Sequence, residues 1–300
     1  MDVSLAARAD GEPILRMEFS PPLAWEPMLD YLSARAIRGV EHVSGGVYRR
    51  TIEVDGDPGM LEIWPGGGGH LLLRAHLTNQ ACLTQTVHRA RHIFNLDADV
   101  RSAGQHLARD PVLAPLIARR PGLRVPGAWD PYELGVRAII GQQVTVAGAS
   151  TITARIVDRY GRRVTGLSSS GLTHLFPRPE TLADAALSGH GLTDARRRAI
   201  GGFARSVAGG ILRLDRGAGL DPLVSSLVGV PGVGTWTAQY LALRMGQPDA
   251  FPATDLGLRR AVARLTSSTV TPALLSKLAD GWRPWRAGAA IHLWLAEDRH

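Results

Sequence analysis

The spacing of apolar residues changes near residue 100, and this change limits the folds that the chain can adopt. Before it, apolar and polar residues alternate in short segments, which is typical of strands with one buried face. The alternation predicts strands over residues 14–19, 47–54, 60–64 and 71–77. Helical spacing predicts helices over 25–36 and 80–94. Strands with interleaved helices predict an α+β fold for this part of the chain, with a small antiparallel sheet.

After residue 100 the alternation disappears and helical spacing takes over. Asp130, with Glu133 three residues later, forms a capping box that predicts the start of a helix. The predicted helices of this region cover residues 130–140, 144–160, 193–207, 223–228, 235–244, 256–265, 272–280 and 285–298. We therefore expect three parts: a flexible N-terminal extension (1–13), the α+β domain (14–120) and a large all-α domain (121–300). The segment PGLRVPGAW at 121–129 is the predicted hinge.

Cysteine content and hydropathy exclude several classes of protein. Cys82 is the single cysteine, so the chain has no internal disulfide framework and no metal site built on several thiolates. No apolar run reaches the roughly eighteen residues of a membrane span, and the first residues lack the apolar core of a secretory signal. We therefore expect a cytoplasmic protein that does not bind membranes.

The net charge of +7 favours a polyanionic partner such as nucleic acid. Almost all of the positive charge is arginine, since Lys277 is the one lysine. The planar guanidinium suits phosphate, but a GC-rich genome would favour arginine codons without any functional reason. Both explanations of the arginine bias stay open.

The segment 227–260, LVGVPGVGTWTAQYLALRMGQPDAFPATDLGLRR, is the most informative stretch for function. A short helix ends near Val228, a tight turn carries Gly232 and Gly234, and a new helix begins near Thr235. Glycines let another backbone come close, and the free N–H groups of a helix N-terminus bind anions. The pattern therefore suits docking on a DNA phosphate. A packing turn between two helices would show the same glycines.

The rest of the segment resembles the helix-hairpin-helix, Gly/Pro-Asp (HhH-GPD) superfamily of base-excision DNA glycosylases. The resemblance lies in PGVG at 231–234, the helix after it, the Phe-Pro pair at 251–252 and Asp255. Three further segments are similar to the AlkA-type 3-methyladenine DNA glycosylase II branch. They are FSPPLAWEPMLDYLSARAIRGVE (19–41), DPYELGVRAIIGQQVTVAGASTITARIV (130–157) and WRPWRAGAAIHLWLAED (282–298).

The resemblance covers residues 14–298 and implies an enzyme that flips alkylated bases, such as 3-methyladenine and 7-methylguanine, out of duplex DNA and hydrolyses their N-glycosidic bonds. The implied partner is damaged double-stranded DNA, and we expect a monomer associated with the nucleoid. No cofactor and no metal are expected, apart from the option of a structural monovalent cation at the hairpin. The residues implied to contact DNA through the hairpin are Val230, Gly232, Val233, Gly234 and Thr235.

Asp255 takes the position of the family's catalytic aspartate. It directly precedes a helix with apolar periodicity, where the helix dipole favours a carboxylate. Cleavage of an N-glycosidic bond builds positive charge on the sugar, which a fixed carboxylate stabilises. A helix cap is the ordinary role of an aspartate at such a place, and Asp249 is the second candidate acid.

Position 236 separates two mechanisms within the superfamily. Lyase-type relatives, such as endonuclease III and the 8-oxoguanine glycosylases, carry a lysine there that attacks the sugar as an amine. This chain has Trp236, and an indole is not a nucleophile. The resemblance therefore implies a monofunctional enzyme that uses water.

Four aromatic residues fall on aromatic positions of the AlkA pattern and are implied to line the base pocket: Tyr31, Trp236, Tyr240 and Trp294. Aromatic faces attract cationic methylated purines. The alternative is that these side chains belong to the core. Leu256 departs from the pattern, which has an aromatic residue just after the catalytic aspartate.

Gln143 takes the position of the wedge that fills the gap left by a flipped base, where the AlkA pattern has a leucine. A polar residue in a turn between helices is the alternative. Two weaker candidates are the pair His88 and His92, which lacks a third metal ligand nearby in sequence, and the arginine run 196–198, which contacts phosphate or faces solvent.

Two other functions stay open from the sequence. One is a DNA-binding protein that has kept the hairpin without catalysis, although such a protein needs neither Asp255 nor an aromatic pocket. The other is the same fold acting on deaminated bases.

Overall fold

The computed structural model describes residues 3–9, 12–165 and 170–297. Its N-terminal part is an antiparallel sheet in the order β1-β2-β6-β5-β4-β3. The strands are β1 (Val3–Ala9), β2 (Glu12–Glu18), β3 (Glu41–Ser44), β4 (Val47–Val54), β5 (Asp57–Gly67) and β6 (His70–Leu77). Helix α1 (Trp25–Ala34) connects β2 to β3, and a 3-10 turn (Gln80–Cys82) leads from β6 into α2 (Leu83–Ile93). The α+β prediction for this region is confirmed.

One face of the sheet packs on α1 and α2. Along β4 the side chains of Tyr48 and Ile52 are buried, as the alternating pattern predicts. Tyr48 meets Phe94 edge-on, and Phe94 stacks on Trp25 of α1 with ring centroids 5.1 Å apart. These contacts form the core of the α+β part.

The extension predicted to be flexible is in large part a strand. Residues Val3–Ala9 form β1 and pair with β2, which begins at Glu12, in a register that runs from Val3 opposite Met17 to Ala9 opposite Glu12. The strand could not be read from apolar alternation because residues 4–7 are exposed on both faces, so the backbone ladder holds it rather than side-chain burial. Residues 1, 2, 10 and 11 lie outside the described part.

The remainder of the described chain is helical. Its helices are α3 (Val100–Leu107), α4 (Ala114–Arg119), α5 (Pro131–Ile140), α6 (Val146–Tyr160), α7 (Pro179–Ala183), α8 (Asp194–Ala208), α9 (Leu220–Val228), α10 (Thr235–Arg244), α11 (Leu256–Thr266), α12 (Pro272–Ala279) and α13 (Arg286–Glu297). The predicted helices of this region are all present, with ends shifted by a few residues. The short helices α3, α4 and α7 and the short strand β3 were not predicted, because none is long enough to show a clear period.

A buried ion-pair cluster joins the sheet to α5. Arg50 of β4 donates to Glu133 at 2.6 Å, and Arg137 donates to Glu133 at 3.0 Å and to Glu41 of β3 at 2.9 Å. The Tyr48 hydroxyl also donates a hydrogen bond to Glu41, at 2.7 Å. Burial opposes the charge on Glu41, but Arg137 and Arg50 outweigh it and keep the pKa of this carboxyl below its usual value. The cluster fixes α5 against the sheet, and Arg137 faces the cavity described below.

Within the described ranges, no helix combines the length and the apolar character that crossing a membrane requires.

Candidate active site

A cavity of about 460 Å³ opens between α1, the α5–α6 turn, α10, α11 and α13. Asp255 and the four aromatic residues predicted from the sequence all line it: Tyr31, Trp236, Tyr240 and Trp294. They come from three helices, α1, α10 and α13, and from the loop before α11, so the fold brings together residues more than 260 positions apart. Aromatic and aliphatic side chains make up much of the lining, which suits a flat, largely apolar ligand.

Asp255 is the N-cap of α11, and the same carboxylate has two further partners inside the cavity. Oδ1 accepts the main-chain N–H of Leu258 at 2.8 Å and the indole N–H of Trp294 at 3.0 Å. Oδ2 accepts the indole N–H of Trp236 at 2.7 Å. A simple helix cap needs only the first of these bonds. The two indoles therefore fix the carboxylate at the cavity wall, where an anion can act on a bound molecule.

The aromatic rings form a stacked wall. Trp236 and Tyr240 lie one turn apart on α10 with their rings nearly parallel, 5° between planes and 5.4 Å between centroids. Trp294 meets Tyr240 at a steep angle, with centroids 6.0 Å apart. Trp236, Tyr240 and Trp294 are half-buried, whereas Tyr31 is buried. Leu256 is 51% exposed at the cavity mouth.

Arg244 is a cavity residue that the sequence analysis missed. It follows Tyr240 by one helical turn, and its Nη1 donates to the hydroxyls of Tyr31 and Tyr240 at 2.8 Å each. The spacing of four residues from Tyr240 was a usable signal, but an arginine in a basic chain is read as surface charge. Three further arginines line the cavity: Arg35, Arg137 and Arg260.

The two tyrosines of this group differ in acidity. Burial raises the pKa of Tyr31. Burial also acts to raise the pKa of Tyr240, but the charges of Arg244 and Arg35 outweigh it and lower that pKa to about 8.

The hairpin between α9 and α10 has the predicted form. Gly232 has φ +88°, and a Cβ on it would lie 2.4 Å from the Cβ of Ala199, so this position needs glycine. The main-chain N–H groups of Gly232 and Gly234 donate to no acceptor among the described residues, and Thr235 begins α10, where first-turn N–H groups are free. Free N–H groups at a helix N-terminus are of the kind that can bind an anion.

Val230 and Val233 differ from the other hairpin residues predicted to contact DNA. Their side chains are buried, and their N–H groups donate to the carbonyls of Leu227 and Val230 within the turn. They shape the hairpin from inside, because their N–H groups are already used and cannot be offered to a phosphate.

The α5–α6 turn presents Gln143 at its tip. Gln143 is exposed and has φ +57°, in the left-handed region that few residues other than glycine adopt. Its neighbour Gln142 points inward, and its amide donates to Gly232 O and Thr237 Oγ1 at 3.0 Å each. Arg196 donates to the main-chain carbonyl of Gln142. The turn is thus tied to the hairpin and to α8, a function of Gln142 that the sequence did not reveal.

Asp249, the second candidate acid, lies outside this cavity. It forms ion pairs with Arg283 and Arg286 and lines a neighbouring cavity instead. Trp236 lines both cavities, but the Asp249 carboxylate is held between two guanidinium groups and does not line the cavity of Asp255.

The weaker candidates lie outside the cavity. His88 and His92 pack edge to face with centroids 4.9 Å apart, and no group of three or more His, Cys, Asp or Glu side chains in the described ranges could hold a metal ion. In the run 196–198, Arg196 binds the α5–α6 turn, Arg197 pairs with Asp194 and Arg198 is exposed.

Comparison with known families accounts for both halves of the chain. Residues 14–130 match the AlkA N-terminal domain, and residues 136–284 match the HhH-GPD superfamily of base excision DNA repair proteins. DNA-3-methyladenine glycosylase 2 of Escherichia coli K12 is 33% identical over 289 residues, which cover 94% of this chain and 96% of that protein. The chain belongs to the HhH-GPD superfamily of base excision DNA repair proteins.

Two other relatives extend the comparison of this HhH-GPD protein. A Mycobacterium tuberculosis H37Rv protein named probable bifunctional transcriptional activator/DNA repair enzyme AlkA is 37% identical over 290 residues. That match covers 96% of this chain and 58% of the mycobacterial protein, so the chain spans less than two thirds of this relative's length. The solved structure of a 3-methyladenine DNA glycosylase from Archaeoglobus fulgidus has the same fold, with a TM-score of 0.81 at 23% identity, covering 93% of this chain and 97% of that one.

Proposed function

We propose that this HhH-GPD protein is a monofunctional DNA glycosylase that hydrolyses the N-glycosidic bond of alkylated purines in duplex DNA. One observation carries the proposal: the Asp255 carboxylate is held by the indole N–H groups of Trp236 and Trp294 at the wall of an aromatic cavity. The E. coli relative, which matches over nearly the full length of both chains, is named for the same activity. A protein that only binds DNA needs neither the fixed carboxylate nor the cavity.

The chemistry follows from the charge that develops on the sugar. As the base leaves, C1′ becomes oxocarbenium-like, and a carboxylate beside it stabilises the positive charge and orients a water molecule for attack. In this step the oxygen of water forms the new bond to C1′, and the Asp255 carboxylate accepts the proton that the water loses. An alkylated purine already carries positive charge, so it is a good leaving group and needs no strong general acid.

A covalent route through an amine has no support in the cavity. The residue at the amine position of the lyases is Trp236, whose nitrogen is bound to Asp255. Lys277 lies on α12, is exposed and does not line the cavity. Water is therefore the proposed nucleophile, and an intact abasic strand is the proposed product.

DNA is held at two places in this proposal. The free N–H groups of Gly232, Gly234 and Thr235 bind phosphate without reading sequence. Gln143, exposed at the tip of the α5–α6 turn, enters the stack in place of the flipped base, and its amide hydrogen-bonds the orphaned partner. The bond from Gln142 to Gly232 O keeps these two elements at a fixed separation.

The proposed reaction uses no cofactor. The carbonyl oxygens of Val230 and Gly232 each accept one N–H, which leaves each a second lone pair. A structural monovalent cation at the hairpin therefore stays a proposal, and no step depends on it. We further propose that the enzyme is a monomer and acts on the chromosome in the cytoplasm.

The test is excision from duplex oligonucleotides that each contain one defined lesion. We expect release of free 3-methyladenine and 7-methylguanine, followed by strand breakage only after heating in alkali. Duplexes with hypoxanthine or uracil at the same place separate alkylated from deaminated bases as substrates. Tight binding to every duplex with no base released from any would contradict the proposal and favour a binding protein.

A further inference from the structure

Arg244 is a buried cation at the floor of the cavity, and all of its hydrogen-bond partners among the described residues are neutral. It is 8% exposed. Its Nε and Nη2 donate to the main-chain carbonyls of Pro126 and Gly127, and its Nη1 donates to the hydroxyls of Tyr31 and Tyr240. No carboxylate in the described part pairs with it. The guanidinium therefore directs its charge at two phenol oxygens.

One of the two tyrosine hydroxyl protons at the cavity floor has no acceptor among the described residues. Both hydroxyl oxygens already accept from Arg244, so each hydroxyl proton must point elsewhere. The oxygens of Tyr31 and Tyr240 are 3.3 Å apart, so one hydroxyl donates to the other. The second finds no acceptor among the described residues. Both rings line the cavity, so this O–H is available to a molecule bound there.

When Tyr31 donates to Tyr240, the unused donor is the Tyr240 hydroxyl, which is a stronger donor than an ordinary phenol. Arg244 and Arg35 lower the pKa of Tyr240 to about 8 against the effect of burial, and a more acidic hydroxyl donates a stronger hydrogen bond. Arg35 also lies over the ring of Tyr31, with its guanidinium carbon 3.7 Å from the ring centroid. The floor therefore favours an acceptor over a donor at the edge of a bound base.

We propose that the Tyr31–Tyr240–Arg244 cluster selects, among alkylated purines, those with a keto oxygen at C6 over those with an amino group there. The proposal rests on the function proposed above. A base stacked against the indole wall directs one edge at the cluster, where a keto oxygen accepts the free O–H. An amino group would place N–H against O–H and leave both unpaired, which separates substrates more strongly than apolar shape does.

7-Methylguanine and 3-methyladenine are the substrates that test this. Both are cationic in DNA, so attraction to the aromatic faces does not distinguish them. At C6, 7-methylguanine has a keto oxygen and 3-methyladenine has an amino group. The cluster should therefore raise the rate for 7-methylguanine relative to 3-methyladenine.

The experiment measures both bases in one tube. Duplex DNA methylated at random with a radiolabelled methyl donor carries both lesions, and chromatography of the released bases gives both initial rates. In the double variant Tyr31→Phe/Tyr240→Phe the rings remain but the hydroxyls are gone. We expect the ratio of 7-methylguanine to 3-methyladenine release to fall about tenfold, the value of one charge-assisted hydrogen bond. A partial loss of folded enzyme lowers both rates equally and leaves the ratio unaffected.

Tyr132→Phe is the matched control, because it removes a buried tyrosine hydroxyl with no hydrogen-bond partner from a different cavity. Its ratio should equal that of the wild type. If the double variant does not fold, the Tyr31→Phe and Tyr240→Phe single variants answer the same question, and at least one must lower the ratio. Release of both bases with an unchanged ratio in every variant would overturn the selectivity proposal alone. If the wild-type protein releases neither base, the proposed function itself is wrong.

Discussion

The indole nitrogen of Trp236 lies 2.7 Å from Oδ2 of Asp255, so a residue of α10 holds the carboxylate that begins α11. The ring of Trp236 also stacks on Tyr240 and forms part of the cavity wall. One side chain therefore links the surface that would receive a base to the acid that would act on its sugar. Trp236 therefore does more than replace the amine of the lyases, because it both holds the carboxylate and forms part of the cavity wall.

Trp236→Phe should separate these two functions. Phenylalanine keeps a ring to stack on Tyr240 but loses the N–H donor to Asp255. A hydrogen bond to a charged group is worth about 1.5–3 kcal/mol, so we expect a loss of about 10- to 100-fold in the single-turnover excision rate. Affinity for an abasic-site duplex should change little. Trp294→Phe is the comparison, and its loss should be smaller because Oδ1 keeps the N–H of Leu258. Equal rates for wild type and Trp236→Phe would show that the bond does not support the chemistry.

Asp255→Asn should lower the excision rate far more than it lowers DNA binding. Asparagine is as good an N-cap as aspartate, so the fold should persist, but the charge opposite the oxocarbenium is lost. The loss of one preorganised electrostatic stabiliser is worth about 2.7–4 kcal/mol, or about 100- to 1000-fold in rate. Single-turnover kinetics and gel-shift titrations on the same lesion duplex measure the two effects.

Asp249→Asn is the control for this variant. Its ion pairs with Arg283 and Arg286 lie outside the cavity, so the substitution should lower the melting temperature and leave the excision rate of the folded protein unchanged. If Asp255→Asn excised 3-methyladenine at the wild-type rate, Asp255 would be a helix cap and nothing more.

Local sequence signals predicted the elements whose stability is local. The alternation along β4 and the capping residues Asp130 and Thr193 marked their elements well, because burial and caps leave a trace at fixed spacing. β1 was missed because its stability comes from the β2 backbone and the side chains of residues 4–7 are exposed. The pattern of a single segment carries no information about an edge ladder of that kind.

The candidate site was predictable only where a motif carried it. Trp236 and Tyr240 share one helix face, and Asp255 precedes a helix, so their placement follows from spacing. The bonds from two indoles to one carboxylate depend on how α10, α11 and α13 pack, which no local pattern encodes. Arg244 was missed because a single arginine does not stand out in a chain with net charge +7.

The hairpin glycines provide a matched pair of substitutions. Gly232→Ala places a methyl group 2.4 Å from Ala199 at φ +88°, so it should destabilise the hairpin and weaken DNA binding. Gly234→Ala meets open space at φ −82°, so the protein should fold normally. Thermal melting and DNA binding across a salt series test both variants. Equal melting temperatures would contradict the close approach of α8 to the hairpin.

The stability of the protein should fall as the pH drops from about 6.5 to about 4. Burial and the charge of Arg120 lower the pKa of His292 to about 4, against about 6.5 in the unfolded chain. Between these values the unfolded state binds a proton that the folded state does not, so protonation favours unfolding. The contribution of His292 at the lower end is about 3 kcal/mol. Denaturant unfolding at several pH values should show a smaller decline for His292→Leu, and an identical decline would rule out His292 as a source.

The final prediction is that the protein forms no covalent bond with DNA during the reaction. Because Trp236 occupies the amine position and its nitrogen donates to Asp255, no Schiff base can form at this place. Sodium borohydride added during the reaction should trap no covalent protein–DNA complex, and an 8-oxoguanine glycosylase/lyase run in parallel gives the positive control. The lesion strand should migrate at full length until it is heated in alkali. Lys277→Ala should behave like the wild type, since Lys277 is exposed on α12 and does not line the cavity of Asp255. A trapped complex that disappears in Lys277→Ala would show that the amine comes from α12, and the hydrolytic mechanism proposed for Asp255 would then be wrong.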